Sequence, residues 1–254
     1  MKNFVESRSI VRKIWGKSDT ILFIFAGASA EFALNKAVDW LYFTGKLPSD
    51  PLGRLFSTVS YARRIVFASE SEAFKAIDTM TQIHTTVEKK RGASIPDWAY
   101  RDVLFMLIYY SISAYELLEK PLTLEDKEEV YDVFYRVGMR MGLKDLPLSY
   151  KAWIPVRQFH LEQDLQMSAH TSDLFKQYRE HLGYLRFKVL LEAQKLVLPY
   201  HVRTLLNFNR FSILKPSVFI YKVGRNIKLD RLIKKLLLPS DYKAQIRALD
   251  ISKP

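Results

Sequence analysis

The segment Asp50-Pro51-Leu52-Gly53-Arg54-Leu55-Phe56-Ser57-Thr58 predicts the start of a helix around which the rest of the chain is organised. Asp50 offers a side-chain acceptor at the cap position, and the ring of Pro51 fixes φ at a value that suits a first helical turn. Four residues recur at steps of four, three and four, and therefore lie on one face of this helix: Arg54, Thr58, Tyr61 and Ile65. That face combines a cation with a hydroxyl group.

The segment Ser69-Glu70-Ser71-Glu72 has the form of a capping box and is predicted to start a second helix. One face of this helix is apolar except for a histidine, and its members are Ala73, Ile77, Met80, His84 and Val87. The sequence therefore places an imidazole in an apolar stripe, next to a helix that offers a cation. From these residues alone, His84 is either a core histidine bonded to a carbonyl or a metal ligand.

The pattern Asp-Pro-x-x-Arg-Leu-x-x-Thr-x-x-Tyr, followed by a helix with a lone histidine, resembles the MpaB and rubber-oxygenase (latex-clearing protein) family. The resemblance extends over about residues 21–205 and is most specific over residues 50–87. It implies an all-α protein that binds haem b, with His84 as the proximal iron ligand. It also implies that Arg54 and Thr58 lie near the haem. The alternative for Arg54 is a surface ion pair.

Two further positions are interpreted through this resemblance. Asp39 lies at about the place where some members carry an acidic residue proposed as a base, and a solvated helix residue is the other interpretation. Ser57 occupies the position where rubber-degrading members can carry a lysine able to reach the iron. This departure argues against a lysine-ligated state here. The implied catalytic set is Arg54, Thr58 and Asp39.

The composition favours a single all-α domain. Hydrophobic residues make up 48% of the 254 residues and aromatic residues 13%, which is enough apolar material for a large core. The apolar spacing is mostly helical, and there is no run of short alternating strands. We therefore predict a bundle of about ten helices over residues 1–254, with a core from about residue 19 to about residue 212. The absence of cysteine excludes disulfides, thiolate haem ligation, iron–sulfur clusters and Cys-based zinc sites.

Two helix boundaries are predicted from apolar runs and breakers. The segment Thr20–Leu34 is the most hydrophobic part of the chain, is interrupted by Glu31, and is shorter than the roughly 20 apolar residues that span a bilayer. It is predicted to be a buried core helix that continues as far as Trp40. Near the other end, Pro199 is predicted to begin a helix that reaches about Phe211.

The positive charge is concentrated near the C-terminus. The whole chain carries a formal charge of +12, and residues 201–254 contain 12 basic and 3 acidic residues, a net charge of +9. The segment Ile227–Leu238 is amphipathic, so the tail of about residues 213–254 either lies on an anionic membrane surface or packs on the core. No nucleic-acid-binding motif accompanies the charge. Met1–Ser18 lacks a secretory pattern, and a cytoplasmic location, peripheral to the inner face of the membrane, is predicted.

The resemblance implies an oxidoreductase, and the composition and spacing are compatible with it. It would be an oxygenase that uses haem b to activate O2 and oxidises a lipophilic substrate, with olefins as one option. No phosphate-binding loop or nucleophile elbow points to another class of enzyme. Two alternatives remain open. One is a haem-free protein of the same fold that binds a membrane surface or a partner, and the other is a haem protein without oxygenase activity.

Overall fold

The computed structural model describes residues 2–45 and 49–224, which form eleven helices and no strand. The all-α class is therefore confirmed. The helices are α1 (Ile10–Trp15), α2 (Ser18–Leu34), α3 (Val38–Phe43), α4 (Pro51–Phe67), α5 (Glu70–Arg91), α6 (Asp97–Leu118), α7 (Leu124–Arg140), α8 (Tyr150–Gln163), α9 (Ala169–Val197), α10 (Tyr200–Leu205) and α11 (Lys215–Gly224).

Helix α2 is the centre of the bundle and packs along both α6 and α9. It is buried on several sides, as expected for a helix that is apolar around most of its circumference. The closest approach to α6 occurs at Gly27, where an added Cβ would lie 2.2 Å from the ring of Tyr110. Only glycine leaves room for that ring. The predicted core helix over Thr20–Leu34 is thus confirmed.

The predicted continuation of α2 to Trp40 is wrong, because the helix ends at Leu34. Asn35 has an extended ψ of 132°. Its Oδ1 atom accepts a hydrogen bond from the backbone N–H of Ala37 (2.8 Å), and its Nδ2 atom donates to Asp102 Oδ2 (2.6 Å). Such side-chain bonds compete with the helical ladder. The chain therefore turns and restarts as α3, which carries Asp39.

The predicted starts of α4 and α5 are confirmed by their caps. Asp50 Oδ1 accepts a hydrogen bond from the backbone N–H of Gly53 (2.8 Å), and Pro51 is the first helical residue. The side chain of Ser69 caps α5, and Glu72 completes the capping box. Helix α5 ends at Arg91, and the following residue, Gly92, has a φ of 69° in the left-handed region that glycine adopts easily.

The C-terminal helices differ from the prediction in one respect. Helix α10 ends at Leu205 and does not reach Phe211. The chain leaves the helix at Asn207, which has a left-handed φ of 53° that does not continue an α-helix. The amphipathic segment Ile227–Leu238 lies outside the described residues. Over the residues that are described, no helix is long and apolar enough to cross a membrane.

Candidate functional site

The consecutive helices α4 and α5 pack against each other and bring Arg54 near enough for its charge to act on His84. Burial of the imidazole, followed in size by the positive charge of Arg54, lowers the pKa of His84 to about 4. The negative charge of Glu88 acts in the opposite direction. His84 is therefore neutral at pH 7, and neutral imidazole is the form that ligates metal ions.

The ring of His84 has a polar atom without a partner. Its Nδ1 atom is buried and forms no hydrogen bond within the described part of the chain. The edge of the Tyr100 ring meets the imidazole at a centroid distance of 5.2 Å and an interplanar angle of 70°. The apolar positions around it are incompletely covered, since Met80 and Val87 are half-buried and Ile83 is exposed. The apolar stripe predicted for α5 therefore exists, and from Met80 onward it is only half-buried.

Arg54 is half-buried on the face of α4 predicted from the sequence. Burial lowers the pKa of its guanidinium group. Its Nη1 atom donates to Ser57 Oγ (3.2 Å), and in the part of the chain that the structure describes no carboxylate pairs with it. The hydroxyl of Thr58 donates to the Arg54 carbonyl oxygen (3.2 Å). Among the described residues, only Ser57 accepts a hydrogen bond from the Arg54 side chain, so the other guanidinium N–H groups near His84 suit an anionic ligand group.

Asp39 is engaged elsewhere. Its Oδ2 atom lies 2.7 Å from Arg91 Nη2, and that guanidinium group also stacks over the ring of Trp40 at 4.0 Å. This pair ties α3 to the last turn of α5. Within the described residues, none of the contacts of Asp39 connects it to Arg54 or His84. The resemblance assigns Asp39 the role of a base, but in the structure its carboxylate is paired with Arg91.

Comparison with known proteins places most of the chain in one family. Residues 14–216 match the family described as the ER-bound oxygenase mpaB/B′/rubber oxygenase catalytic domain. The chain belongs to this oxygenase family. The membership predicted from residues 50–87 is thus confirmed, and a comparison with curated proteins finds no match. Arg54, Thr58 and His84 all lie within the matched part of this MpaB/rubber-oxygenase family member.

The protein also contains a buried polar cluster that no motif in the sequence indicated. His160 Nδ1 lies 2.5 Å from Asp102 Oδ1 and 2.9 Å from Asp164 Oδ2. These three side chains offer ligand atoms within 4.8 Å of one another, as a metal site would require. However, N···O separations of 2.5 and 2.9 Å are hydrogen-bond distances, and Asn35 already donates to Asp102. The cluster therefore acts as a hydrogen-bonded clamp between α6, α8 and the end of α2.

A buried ion pair lies in the core of the protein. Arg157 Nη2 lies 2.6 Å from Glu31 Oε2, and the hydroxyl of Tyr110 donates to the same oxygen (2.7 Å). The sequence showed Glu31 only as an interruption of an apolar run. Its partner on α8 is 126 residues away along the chain, so no local pattern connects them.

The low pKa of His84 leads to a prediction about acid stability. The pKa of His84 is about 4 in the folded protein and 6.5 in the unfolded chain. Between pH 4 and pH 6.5, the unfolded state therefore binds more protons at His84 than the folded state does. The stability contributed at His84 is therefore complete above pH 6.5 and is lost as the pH falls toward 4. We expect the haem-free protein to lose about 2 kcal/mol more than a His84→Gln variant between pH 7 and pH 4.5, allowing for partial exposure of the ring. Urea denaturation at both pH values measures this difference, and equal losses in the two proteins would contradict it.

Proposed function

We propose that this MpaB/rubber-oxygenase family member is a haem-b-dependent oxygenase that uses O2 to oxidise a lipophilic substrate, with olefins as one option. The observation that carries the proposal is the state of His84. Its imidazole is neutral and half-buried, and it lies near Arg54. Among the described residues, Nδ1 of His84 has no hydrogen-bond partner and Arg54 has no carboxylate partner. The family description supports the oxygenase activity in general terms.

The residues around His84 fit the requirements of a haem group. His84 would supply the imidazole that holds the iron, and Arg54 would bind a propionate through charge-assisted hydrogen bonds. The half-buried side chains Met80 and Val87 would contribute apolar surface to the site. When bound, haem b supplies an iron centre that binds and activates O2.

The remaining roles belong to the polar and apolar side chains near this site. The Thr58 hydroxyl donates to its own helix and retains lone pairs that accept a hydrogen bond from a ligand. Asp39 acts as a base in this proposal only if its ion pair with Arg91 opens. The apolar surroundings favour a substrate with a hydrocarbon surface, because burial of that surface is the main source of binding energy.

The proposal also includes the location of the protein and its contact with a membrane. A lipophilic substrate is concentrated in membranes, and the net charge of +9 over residues 201–254 favours contact with an anionic membrane surface. We therefore propose a cytoplasmic protein with peripheral membrane contact. The haem-free binding protein and the haem protein without oxygenase activity remain the alternatives.

Titration of the purified protein with hemin tests the proposal. We expect an intense Soret band at one equivalent of hemin. Arg54→Ala should weaken hemin binding by about 1.5–3 kcal/mol, or roughly 10- to 100-fold, because a charged hydrogen bond to a propionate is lost. Arg64→Ala, which removes an exposed cation from the same helix, is the matched control and should bind hemin as the wild type does.

Three results separate the candidate functions. A wild-type protein that takes up no hemin would contradict the proposal and favour the haem-free alternative. Equal hemin affinities in the two arginine variants would contradict the role of Arg54. If the loaded and reduced protein consumes no O2 in the presence of a polyisoprenoid olefin or other lipophilic substrates, the haem protein without oxygenase activity becomes the better description.

A further inference from the structure

Glu88 and Tyr100 surround His84 on the side of the α5–α6 connection. His84 and Glu88 are four residues apart on α5 and therefore share a face. After Gly92 the chain folds back, and the backbone N–H of Ile95 donates to Glu88 Oε1 (2.8 Å). The hydroxyl of Tyr100 donates to the same oxygen over a longer distance (3.4 Å), while its ring packs edge-on against the imidazole.

This arrangement leaves two complementary atoms unused. His84 Nδ1 is buried without a hydrogen-bond partner in the described part of the chain. Glu88 Oε1 is held by two donors, whereas Oε2 accepts no hydrogen bond from any described residue. A histidine that ligates a metal almost always donates its other ring N–H to a carboxylate, a carbonyl or water. That bond fixes the orientation of the ring and raises the donor strength of the ligating nitrogen.

We propose that Glu88 and Tyr100 are positioning residues for His84, an inference that rests on the proposed function because it requires His84 to be the axial ligand. The ring of Tyr100 fixes the plane of the imidazole. Glu88 and His84 share no hydrogen bond among the described contacts, and the negative charge of Glu88 already acts on the imidazole. With haem bound, the free Oε2 atom of Glu88 would accept the ring N–H and make the imidazole a stronger donor toward iron. The Tyr100 hydroxyl moderates this effect, because it donates to the same carboxylate and withdraws part of its charge.

This assignment predicts shifts of opposite sign in two conservative variants of the hemin-loaded full-length protein. Glu88→Gln keeps an acceptor for Ile95 and removes the negative charge, so the reduction potential should become more positive and the iron–histidine stretching frequency should fall. Hemin affinity should drop about 10-fold or more, as is usual for loss of such a partner. Tyr100→Phe keeps the ring and frees the carboxylate, so the potential should become more negative and the stretching frequency should rise.

Two further variants complete the experiment. Tyr100→Leu removes the ring and should broaden the spectroscopic signature of the axial ligand, which Tyr100→Phe should not do. Glu125→Gln removes one negative charge from the exposed start of α7 and is the control for net charge. Its potential and stretching frequency should match those of the wild type.

The outcomes separate this inference from the proposed function. A wild type that binds no hemin overturns the proposed function, and the ligand role of His84 with it. If the wild type binds hemin and His84→Ala does not, but Glu88→Gln and Tyr100→Phe leave the potential and the stretching frequency unchanged, only the positioning role is overturned. Shifts of the same sign in both variants also overturn it, because a purely structural perturbation would produce them. Should Glu88→Gln fail to fold, the direction of the Tyr100→Phe shift decides alone.

Discussion

Arg157→Met is expected to lower the free energy of unfolding by about 3–5 kcal/mol, the usual cost of removing one partner of a buried ion pair. The side chain of Arg157 is 5% exposed and that of Glu31 is not exposed at all. Without the guanidinium group, the Tyr110 hydroxyl would be the one donor left to the Glu31 carboxylate among the described residues. A buried carboxylate in that position is strongly disfavoured. Urea denaturation followed by circular dichroism measures the loss.

Two comparisons show whether burial is the cause. The exposed pair Lys176–Glu180 has a separation of 3.9 Å, and Lys176→Met should cost less than about 1 kcal/mol. The double variant Glu31→Leu/Arg157→Met should recover much of the lost stability, since apolar side chains often replace a buried ion pair at little cost. A similar cost for Arg157→Met and Lys176→Met would contradict the prediction, as would a double variant less stable than Arg157→Met.

The parts of the fold that were predictable depend on signals close together in the sequence. Asp50 and Gly53 are three residues apart, and the Ser69 cap is equally local, so the starts of α4 and α5 could be predicted. The end of α2 could not be predicted in this way. Its break at Asn35 depends on Asp102, which is 67 residues away and becomes a neighbour only when α6 packs against α2.

Some residues of the candidate site could likewise be predicted from the sequence, and others could not. The spacing of Arg54 and His84 on two consecutive helices could be recognised as a pattern. In contrast, Asp39 forms an ion pair with Arg91, which is 52 residues away along the chain. The sequence alone did not reveal this pair. The contact between Tyr100 and His84 likewise depends on how the chain folds back after Gly92. These two contacts join residues without a shared sequence pattern, so they are visible only in the folded structure.

His84→Ala is expected to abolish hemin binding at this site while leaving the helical circular dichroism unchanged. The loss should exceed the roughly 10- to 100-fold that removal of a supporting residue causes, because the variant lacks the ligating atom itself. Helix content should survive because His84 lies on the half-covered end of α5, whereas Ala73 and Ile77 at the other end make the buried contacts. Titration with hemin, followed at the Soret band, measures the loss.

The control for this prediction is His160, a buried histidine on α8. His160→Gln alters the cluster of Asp102 and Asp164, so it should lower stability and leave hemin affinity close to that of the wild type. His84→Gly adds a positive test, because added imidazole should restore the Soret band by occupying the space of the lost side chain. If His160→Gln loses hemin and His84→Ala retains it, iron coordination belongs to the Asp102–His160–Asp164 cluster, and the assignment of His84 is wrong.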